Sequence, residues 1–184
     1  MLTMSRFQGM VRPRNVFFAL TPLVLVSGCL ALSGEYESRF ADIDSISERI
    51  VSFNAVDLHI VDGGNPAGQP VVFIHGTPGS AEFFASYLLH PDLQDLRLMS
   101  LDRPGWGTSL ARNQFDGTLA AQSAMLGEFL CGIKSANPSQ QLLIVAHSYG
   151  ATLTPLLVMD YQQCISAVLL LAGAADPDLA APRW

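Results

Sequence analysis

Apolar residues occur along the chain in short continuous runs separated by longer stretches with helical spacing. The continuous runs predict buried strands at 70–74, 96–101, 141–145 and 166–171, because strands covered on both faces lose the alternation of polar and apolar positions. Helices are predicted at 81–89, 118–133 and 149–161. Strands that alternate with helices favour a mostly parallel sheet with right-handed crossovers and helices on both faces. The chain is therefore expected to have an α/β fold.

Two shorter β-rich runs, at 49–53 and 57–61, precede the alternating part, and the residues between them suit a tight hairpin turn. Ser80 is placed to cap the first predicted helix. Pro155 lies inside the last predicted helix. It is expected to bend that helix or to end its first turns, because proline lacks the N–H that a helix interior needs. We expect the folded domain to occupy residues 46–184.

The first 28 residues have the pattern of a bacterial export signal. Three arginines precede an apolar run at 15–26, which is shorter than the roughly 20 residues that span a bilayer. The sequence VSGC at 26–29 resembles a lipobox. That resemblance implies that Cys29 is lipidated, becomes the new N-terminus and anchors the protein through its acyl chains. Residues 29–45 would form a polar tether. The alternatives are an ordinary cleaved signal with a chance cysteine and an uncleaved membrane anchor.

Charge and metal-ligand content narrow the set of partners and the location. From Cys29 onward the chain carries 7 basic and 16 acidic residues, a net charge of −9. This argues against nucleic acid, because phosphate binding needs basic patches. The four histidines are too scattered to indicate a metal site, and we expect no cofactor. Leu30 stands where an aspartate would signal inner-membrane retention, so the outer membrane facing the periplasm is favoured.

Two further cysteines leave a structural question open. Cys131 and Cys164 would lie in an oxidising compartment if the export signal is used, and they could pair there. Buried free thiols are the alternative. Spacing along a sequence does not reveal whether the two α-carbons come close enough for a disulfide.

Three motifs follow predicted strands at their carboxyl ends, where parallel sheets place their working residues. They are HGTPG at 75–79, DRPGWGTS at 102–109 and AHSYG at 146–150. In the third, small residues two places on either side of Ser148 suit a sharp strand-to-helix turn that exposes the hydroxyl. Together, over about residues 49–178, these motifs resemble the α/β-hydrolase superfamily, in its serine branch with H-G-x-P-G and D-R-P-G-x-G-x-S motifs.

The resemblance implies a role for each matching residue. Ser148 would be the nucleophile, and the backbone N–H groups of Thr77 and Tyr149 would form the oxyanion hole. Asp176, after the last predicted strand, is the candidate acid. Positions that support the motifs are His75, Gly76, Gly79, Asp102 and Gly150. The implied reaction is acyl transfer through an acyl-enzyme on a small ester-like substrate, without cofactor or metal.

The sequence departs from the family pattern at the elbow and at the base. Ala146 stands where the family has the first glycine of G-x-S-x-G, and no histidine follows Ser148, although the triad of this fold runs serine, acid, histidine along the chain. None of the four histidines carries over as the base. His75 is expected to brace loops, and His59 to face solvent on its strand.

These departures shape the expected function. We expect a hydrolase fold truncated after about the sixth strand, without lid, last strands or C-terminal helix, and with little activity. Residues 167–171 would then form an apolar edge strand that is prone to aggregation. The leading interpretation is a lipid-anchored serine hydrolase acting on an ester or related acyl bond. The alternative is a non-catalytic lipoprotein that uses a degenerate hydrolase scaffold to bind a ligand or partner.

Overall fold

The computed structural model describes residues 40, 42–52, 55–111 and 115–173. Within them, seven strands form one mixed sheet: β1 (Ser47–Ser52), β2 (Val56–Gly64), β3 (Pro70–Ile74), β4 (Arg97–Leu101), β5 (Leu110–Ala111), β6 (Leu143–His147) and β7 (Ala167–Leu171). They lie in the order β1-β2-β4-β3-β6-β7, with β5 paired to β2.

The sheet has a parallel part and an antiparallel part. Strands β4, β3, β6 and β7 pair in parallel, while β2 pairs antiparallel with β1, β4 and β5. The antiparallel pairing of the predicted hairpin and the parallel sheet are confirmed, while residues 53 and 54 at the predicted turn lie outside the described residues. The two-residue strand β5 lies in a stretch predicted as loop, because two residues are too few to show a strand period. The last of the six predicted strands is consequently β7.

In the described residues, three α-helices connect the strands: α1 (Ala85–Leu88), α2 (Leu119–Ala136) and α3 (Tyr149–Tyr161). The predicted helix at 81–89 is tighter than expected, because it begins as a 3₁₀ turn over Ala81–Phe84. Thr118 caps α2, its hydroxyl accepting a hydrogen bond from the Ala121 N–H at 3.3 Å. Of the two effects predicted for Pro155, an early end of the helix is wrong, since α3 continues through that residue.

Alternation along β3 sends neighbouring side chains to opposite faces of the sheet. Val72 and Ile74 join a buried core with residues of α2 and α3. Val71 and Phe73 join a second core with Phe84 and with α1. The sheet therefore has helical segments on both faces, as predicted. All five residues of β3 are buried, which explains why its sequence is a continuous apolar run.

The second core extends further toward the N-terminus than residue 46, the predicted start of the domain. Phe40 is only 4% exposed and packs in that core together with Phe84. Its burial shows that part of the segment predicted as a polar tether packs against the domain. None of the described helices combines the length and the apolarity that crossing a bilayer requires.

A disulfide joins α2 to the turn that follows α3. Cys131 of α2 is bonded to Cys164, which ends the 3₁₀ turn Gln162–Cys164 directly after α3, with 5.0 Å between their α-carbons. The choice between a pair and two free thiols is thereby settled in favour of the pair.

Strand β7 lies at the edge of the described sheet, paired only with β6 on one side. Its central residues Val168, Leu169 and Leu170 are 40%, 55% and 39% exposed. The prediction of an apolar edge strand is confirmed within the described residues.

Candidate active site

Ser148 occupies a strained turn between β6 and α3. Its backbone has φ of +52° and ψ of −119°. This conformation is unfavourable for any residue that has a β-carbon, and it persists only where the surrounding structure holds the residue in it. The Ser148 N–H donates to the Leu171 carbonyl at 2.8 Å, and the Ser148 carbonyl accepts from the Thr152 N–H at 3.0 Å. The turn is therefore fixed by β7 on one side and by α3 on the other. Among the described residues, no side chain hydrogen-bonds to the Ser148 hydroxyl.

Small residues allow other segments to approach this turn closely. A β-carbon at Gly76 would lie 2.7 Å from the Ser148 β-carbon, and one at Gly150 would lie 2.5 Å from the Ile74 carbonyl oxygen. The loop at 75–79 therefore lies directly against the elbow, as the strand-end argument predicts. A β-carbon at Gly173 would lie 2.7 Å from that of Ala151. Sequence reasoning missed this contact, because nothing local marks Gly173 as special.

Within the described residues, both N–H groups predicted to form an oxyanion hole lack acceptors. Thr77 follows Gly76 in the loop against the elbow, and Tyr149 is the first residue of α3, where backbone N–H groups have no partner within the helix. In the described part of the chain, neither N–H donates a hydrogen bond. Two free donors on either side of Ser148 are suited to bind a developing negative charge.

His75 braces the same loop. Its Nδ1–H donates to the Gly76 carbonyl at 2.7 Å, and its Nε2 accepts from the Arg103 N–H at 3.0 Å. This pair of bonds requires the neutral imidazole. Burial, with the Arg103 charge nearby, lowers the pKa of His75 to about 4, so the ring is neutral at pH 7. The prediction that His75 braces loops agrees with this geometry. Gly79 packs closely against His75, since a β-carbon at Gly79 would lie 3.1 Å from His75 Nδ1.

Asp102 ties three segments together. Its carboxylate accepts from the Ala81 N–H at 2.5 Å and from the Thr108 N–H at 2.7 Å, and it lies 2.9 Å from His59 Nδ1. Burial alone would raise the pKa of Asp102, but these hydrogen bonds outweigh it and lower the pKa. Asp102 thus supplies the acceptor at the start of the 3₁₀ turn, whereas Ser80 makes no capping hydrogen bond. The prediction that Ser80 caps this segment is wrong.

The expectation that His59 faces solvent is also wrong. Its ring is 5% exposed, with Nε2 2.8 Å from Glu48 and Nδ1 2.9 Å from Asp102. Burial lowers the pKa of His59, but the two carboxylates together outweigh burial and raise it. The local sequence did not reveal this environment, because Asp102 is 43 positions away and Glu48 lies on the neighbouring strand β1.

Arg103 is the most extensively bonded side chain beside the elbow, and it is 1% exposed. Its Nε donates to the His75 carbonyl at 3.0 Å, and its Nη2 donates to Gly76 O at 3.1 Å and to Thr77 Oγ1 at 2.6 Å. Its Nη1 donates to Gln122 Oε1 at 3.0 Å. Burial lowers its pKa to about 10, so it stays charged at pH 7.

The remaining histidines do not bond to the nucleophile. His147 stacks on Phe83, with ring centroids 4.5 Å apart, and its Nδ1 is buried without a hydrogen-bond partner. His90 is exposed and accepts from the Asp92 N–H at 3.3 Å. None of the four histidines, all of them described, hydrogen-bonds to Ser148. Two predicted site residues, Cys29 and Asp176, lie outside the described residues.

A family model for the alpha/beta hydrolase fold matches residues 69–184. The search of curated proteins gives no match. Many solved structures share the fold, and three are representative. Cfl2 from Burkholderia cenocepacia is 24% identical with a TM-score of 0.65, and the alignment covers 78% of this chain and 48% of Cfl2.

The second is the Cif epoxide hydrolase from Acinetobacter nosocomialis, 22% identical with a TM-score of 0.60, where the alignment covers 89% of this chain and 48% of that one. The third is a bacterial membrane phospholipase A, 17% identical with a TM-score of 0.63, where the alignment covers 85% and 46%. The chain therefore spans about half the length of these structures, and likeness at this level of identity concerns the fold.

Proposed function

The chain belongs to the α/β-hydrolase fold family, and on that premise we propose that it is a serine hydrolase that cleaves an ester or related acyl bond through an acyl-enzyme at Ser148. One observation carries the proposal. Ser148 is held at φ of +52° in the strand-to-helix turn, directly against Gly76. Strain of this kind in a non-glycine residue is found where function requires a particular side-chain position.

In the proposed reaction the Ser148 oxygen attacks the carbonyl carbon of the substrate while its proton passes to a base. The carbonyl oxygen becomes an oxyanion, which accepts hydrogen bonds from the N–H groups of Thr77 and Tyr149. The alcohol then leaves with a proton, and water releases the acyl group from Ser148. A serine at this turn favours acyl transfer over the epoxide hydrolase reaction, because that branch of the superfamily attacks with a carboxylate.

We further propose that these 184 residues by themselves turn substrate over slowly. A serine hydroxyl is a weak nucleophile unless a base takes its proton, and the four histidines are all engaged elsewhere or not bonded to Ser148. Asp176 stays the candidate acid. When a triad member is missing, the oxyanion hole and substrate binding still supply a residual acceleration of about 10³–10⁴ over water.

Labelling with a fluorophosphonate probe tests the nucleophile. We expect slow, stoichiometric modification of Ser148 in the wild type and none in Ser148→Ala. Ser139→Ala, which removes an exposed hydroxyl outside the site, should label like the wild type. Mass spectrometry of the labelled peptide identifies the residue. Equal labelling of Ser148→Ala would contradict the proposal.

The second candidate function is non-catalytic binding by a membrane-anchored protein with a degenerate hydrolase scaffold. It is favoured by one observation, the lack of a histidine bonded to Ser148 among the described residues. A folded wild-type protein that shows no labelling at Ser148, even at high probe concentration, would support this candidate over the hydrolase.

We also propose that the protein is anchored in the bacterial cell envelope through lipid on Cys29, in the outer membrane facing the periplasm. The Cys131–Cys164 disulfide supports export, because disulfides persist in oxidising compartments. Metabolic labelling with a clickable palmitate should mark the wild type and leave Cys29→Ala unmarked. Sucrose-gradient fractionation then distinguishes the two membranes. Persistent labelling of Cys29→Ala would contradict the anchor.

A further inference from the structure

Arg103 is a buried cation with neutral partners. Its side chain is 1% exposed, and within the described residues its hydrogen bonds go to two carbonyls, a hydroxyl and an amide oxygen, with no carboxylate among them. Burying a charge without an ion-pair partner is costly. An apolar side chain could fill this space at lower cost, so packing alone does not account for an arginine here.

The contacts of Arg103 reach both sides of the elbow. On one side, Nη2 donates to Gly76 O and to Thr77 Oγ1, the latter at 2.6 Å. On the other side, the guanidinium carbon lies 4.4 Å from the centre of the Tyr149 ring, within the range of a cation–π interaction. The planar fork of an arginine allows hydrogen bonds at its edge and ring contact on its face at the same time.

Gln122 closes this arrangement. Its Oε1 accepts from Arg103 Nη1 at 3.0 Å, and its Nε2 lies 3.3 Å from the Tyr149 hydroxyl. Because Gln122 belongs to α2, the network is attached to a long helix packed on the sheet. The Arg103 guanidinium is therefore held by Gln122 of α2 while it contacts Thr77 and Tyr149.

We propose that Arg103 is a positioning residue that sets the separation and orientation of the two N–H groups of the oxyanion hole, those of Thr77 and Tyr149. This inference rests on the proposed function. The two donors come from segments that are 72 positions apart in the sequence. An oxyanion hole works only when its donors lie at hydrogen-bond distance from one developing oxygen. Arg103 contacts both residues. The planar, forked shape of its guanidinium, more than its charge, suits it to hold the two N–H groups at a fixed separation.

The first test measures fluorophosphonate labelling of Ser148 at a temperature where every variant is folded by circular dichroism. Arg103→Gln is expected to slow labelling about tenfold, less than the 10²–10³ typical of losing a whole donor. Arg103→Lys keeps the charge without the fork, and it should be slowed by a similar factor. Thr77→Val removes the acceptor of the 2.6 Å bond. Combined with Arg103→Gln it should add little further slowing, because both changes break the same link.

His59→Gln is the matched control. It removes hydrogen bonds to Asp102 and Glu48, and none of the hydrogen bonds of His59 goes to Thr77 or Tyr149, so it should lower stability while labelling stays within about twofold of the wild type. Wild-type labelling rates in Arg103→Gln would overturn the inference while the proposed function stands. Slowing by His59→Gln equal to that by Arg103→Gln would overturn it too, by showing a general effect of loop stability.

A second measurement does not depend on reaction at Ser148. In ¹⁵N–¹H spectra of the full chain, Arg103→Gln and Arg103→Lys should shift the amide signals of both Thr77 and Tyr149, whereas His59→Gln should leave both in place. Unshifted amides in the two arginine variants would overturn the inference even if the wild type proves unreactive. Failure of labelling in a wild type whose amides respond as expected would count against the proposed function alone.

Discussion

At the residue scale, the two nitrogens of the His75 ring have opposite tasks, one donating to Gly76 O and the other accepting from the Arg103 N–H. A second proton would destroy the acceptor. The pKa is about 4 in the fold against 6.5 in the unfolded chain, so the unfolded state binds the proton first. Stability present above pH 6.5 is therefore lost as the pH falls from 6.5 toward 4, by about 3 kcal/mol in total.

Comparison with His75→Asn isolates this contribution. The variant should be less stable than the wild type at pH 7.5, and the gap in unfolding free energy should narrow as the pH falls to 4, because only the wild type carries the titrating ring. Urea unfolding at half-unit pH steps measures the gap. His59→Gln should show the opposite pH dependence of the gap in unfolding free energy. The pKa of His59 is raised in the fold, so its stabilisation is present below pH 6.5 and is lost as the pH rises through that raised value. A gap independent of pH in the His75 pair would contradict the argument.

At the element scale, replacing either of two glycines of α2 by alanine should have opposite effects on stability. A β-carbon at Gly127 would collide with the ring of Tyr161 at the end of α3, whereas one at Gly132 meets no atom within 4 Å. Gly127→Ala should destabilise by about 1–3 kcal/mol through overpacking. Gly132→Ala should stabilise by about 0.5–1 kcal/mol, because alanine is the better helix former. Thermal melts compare the two, and equal shifts of the same sign would show that α2 and α3 do not pack as described.

At the same scale, local sequence patterns predicted the elements of the fold better than the contacts of the site. Hydrophobic periodicity predicted β3 with its observed bounds and α3 from Tyr149 to Tyr161, because those signals are local. The small residues Ala146 and Gly150 on either side of Ser148 likewise predicted the strand-to-helix turn. The roles of His59, of Asp102 as a cap and of Arg103 were not predicted. Each depends on one partner at least 19 positions away, which is Asp102 for His59, Ala81 for Asp102 and Gln122 for Arg103. No pattern of neighbouring residues encodes such a partner.

At the scale of the whole molecule, one face of the sheet carries an open apolar groove of about 430 Å³. Its walls come from β3, β4, β6 and β7, from Tyr87 of α1 and from Leu93 and Leu96, which precede β4. Leu169 is paired with Val145 in the register of β6 and β7 and is 55% exposed in this groove. Apolar surface beside an edge strand favours association of partly or fully folded chains through the hydrophobic effect and through strand pairing. We therefore expect the 184-residue protein to aggregate on concentration or mild heating.

A charge at the centre of the groove should suppress this association. Leu169→Lys places an ammonium group on the edge strand, where lysine opposes pairing with another strand, and it should lower light scattering during a temperature ramp and shift the elution volume toward that of a monomer. Met159→Lys is the matched control. It adds the same charge at a residue of α3 that is 75% exposed and lies outside the groove. If both variants reduce scattering equally, net charge is responsible and the groove is not; if only Leu169→Lys does so, the association runs through β7.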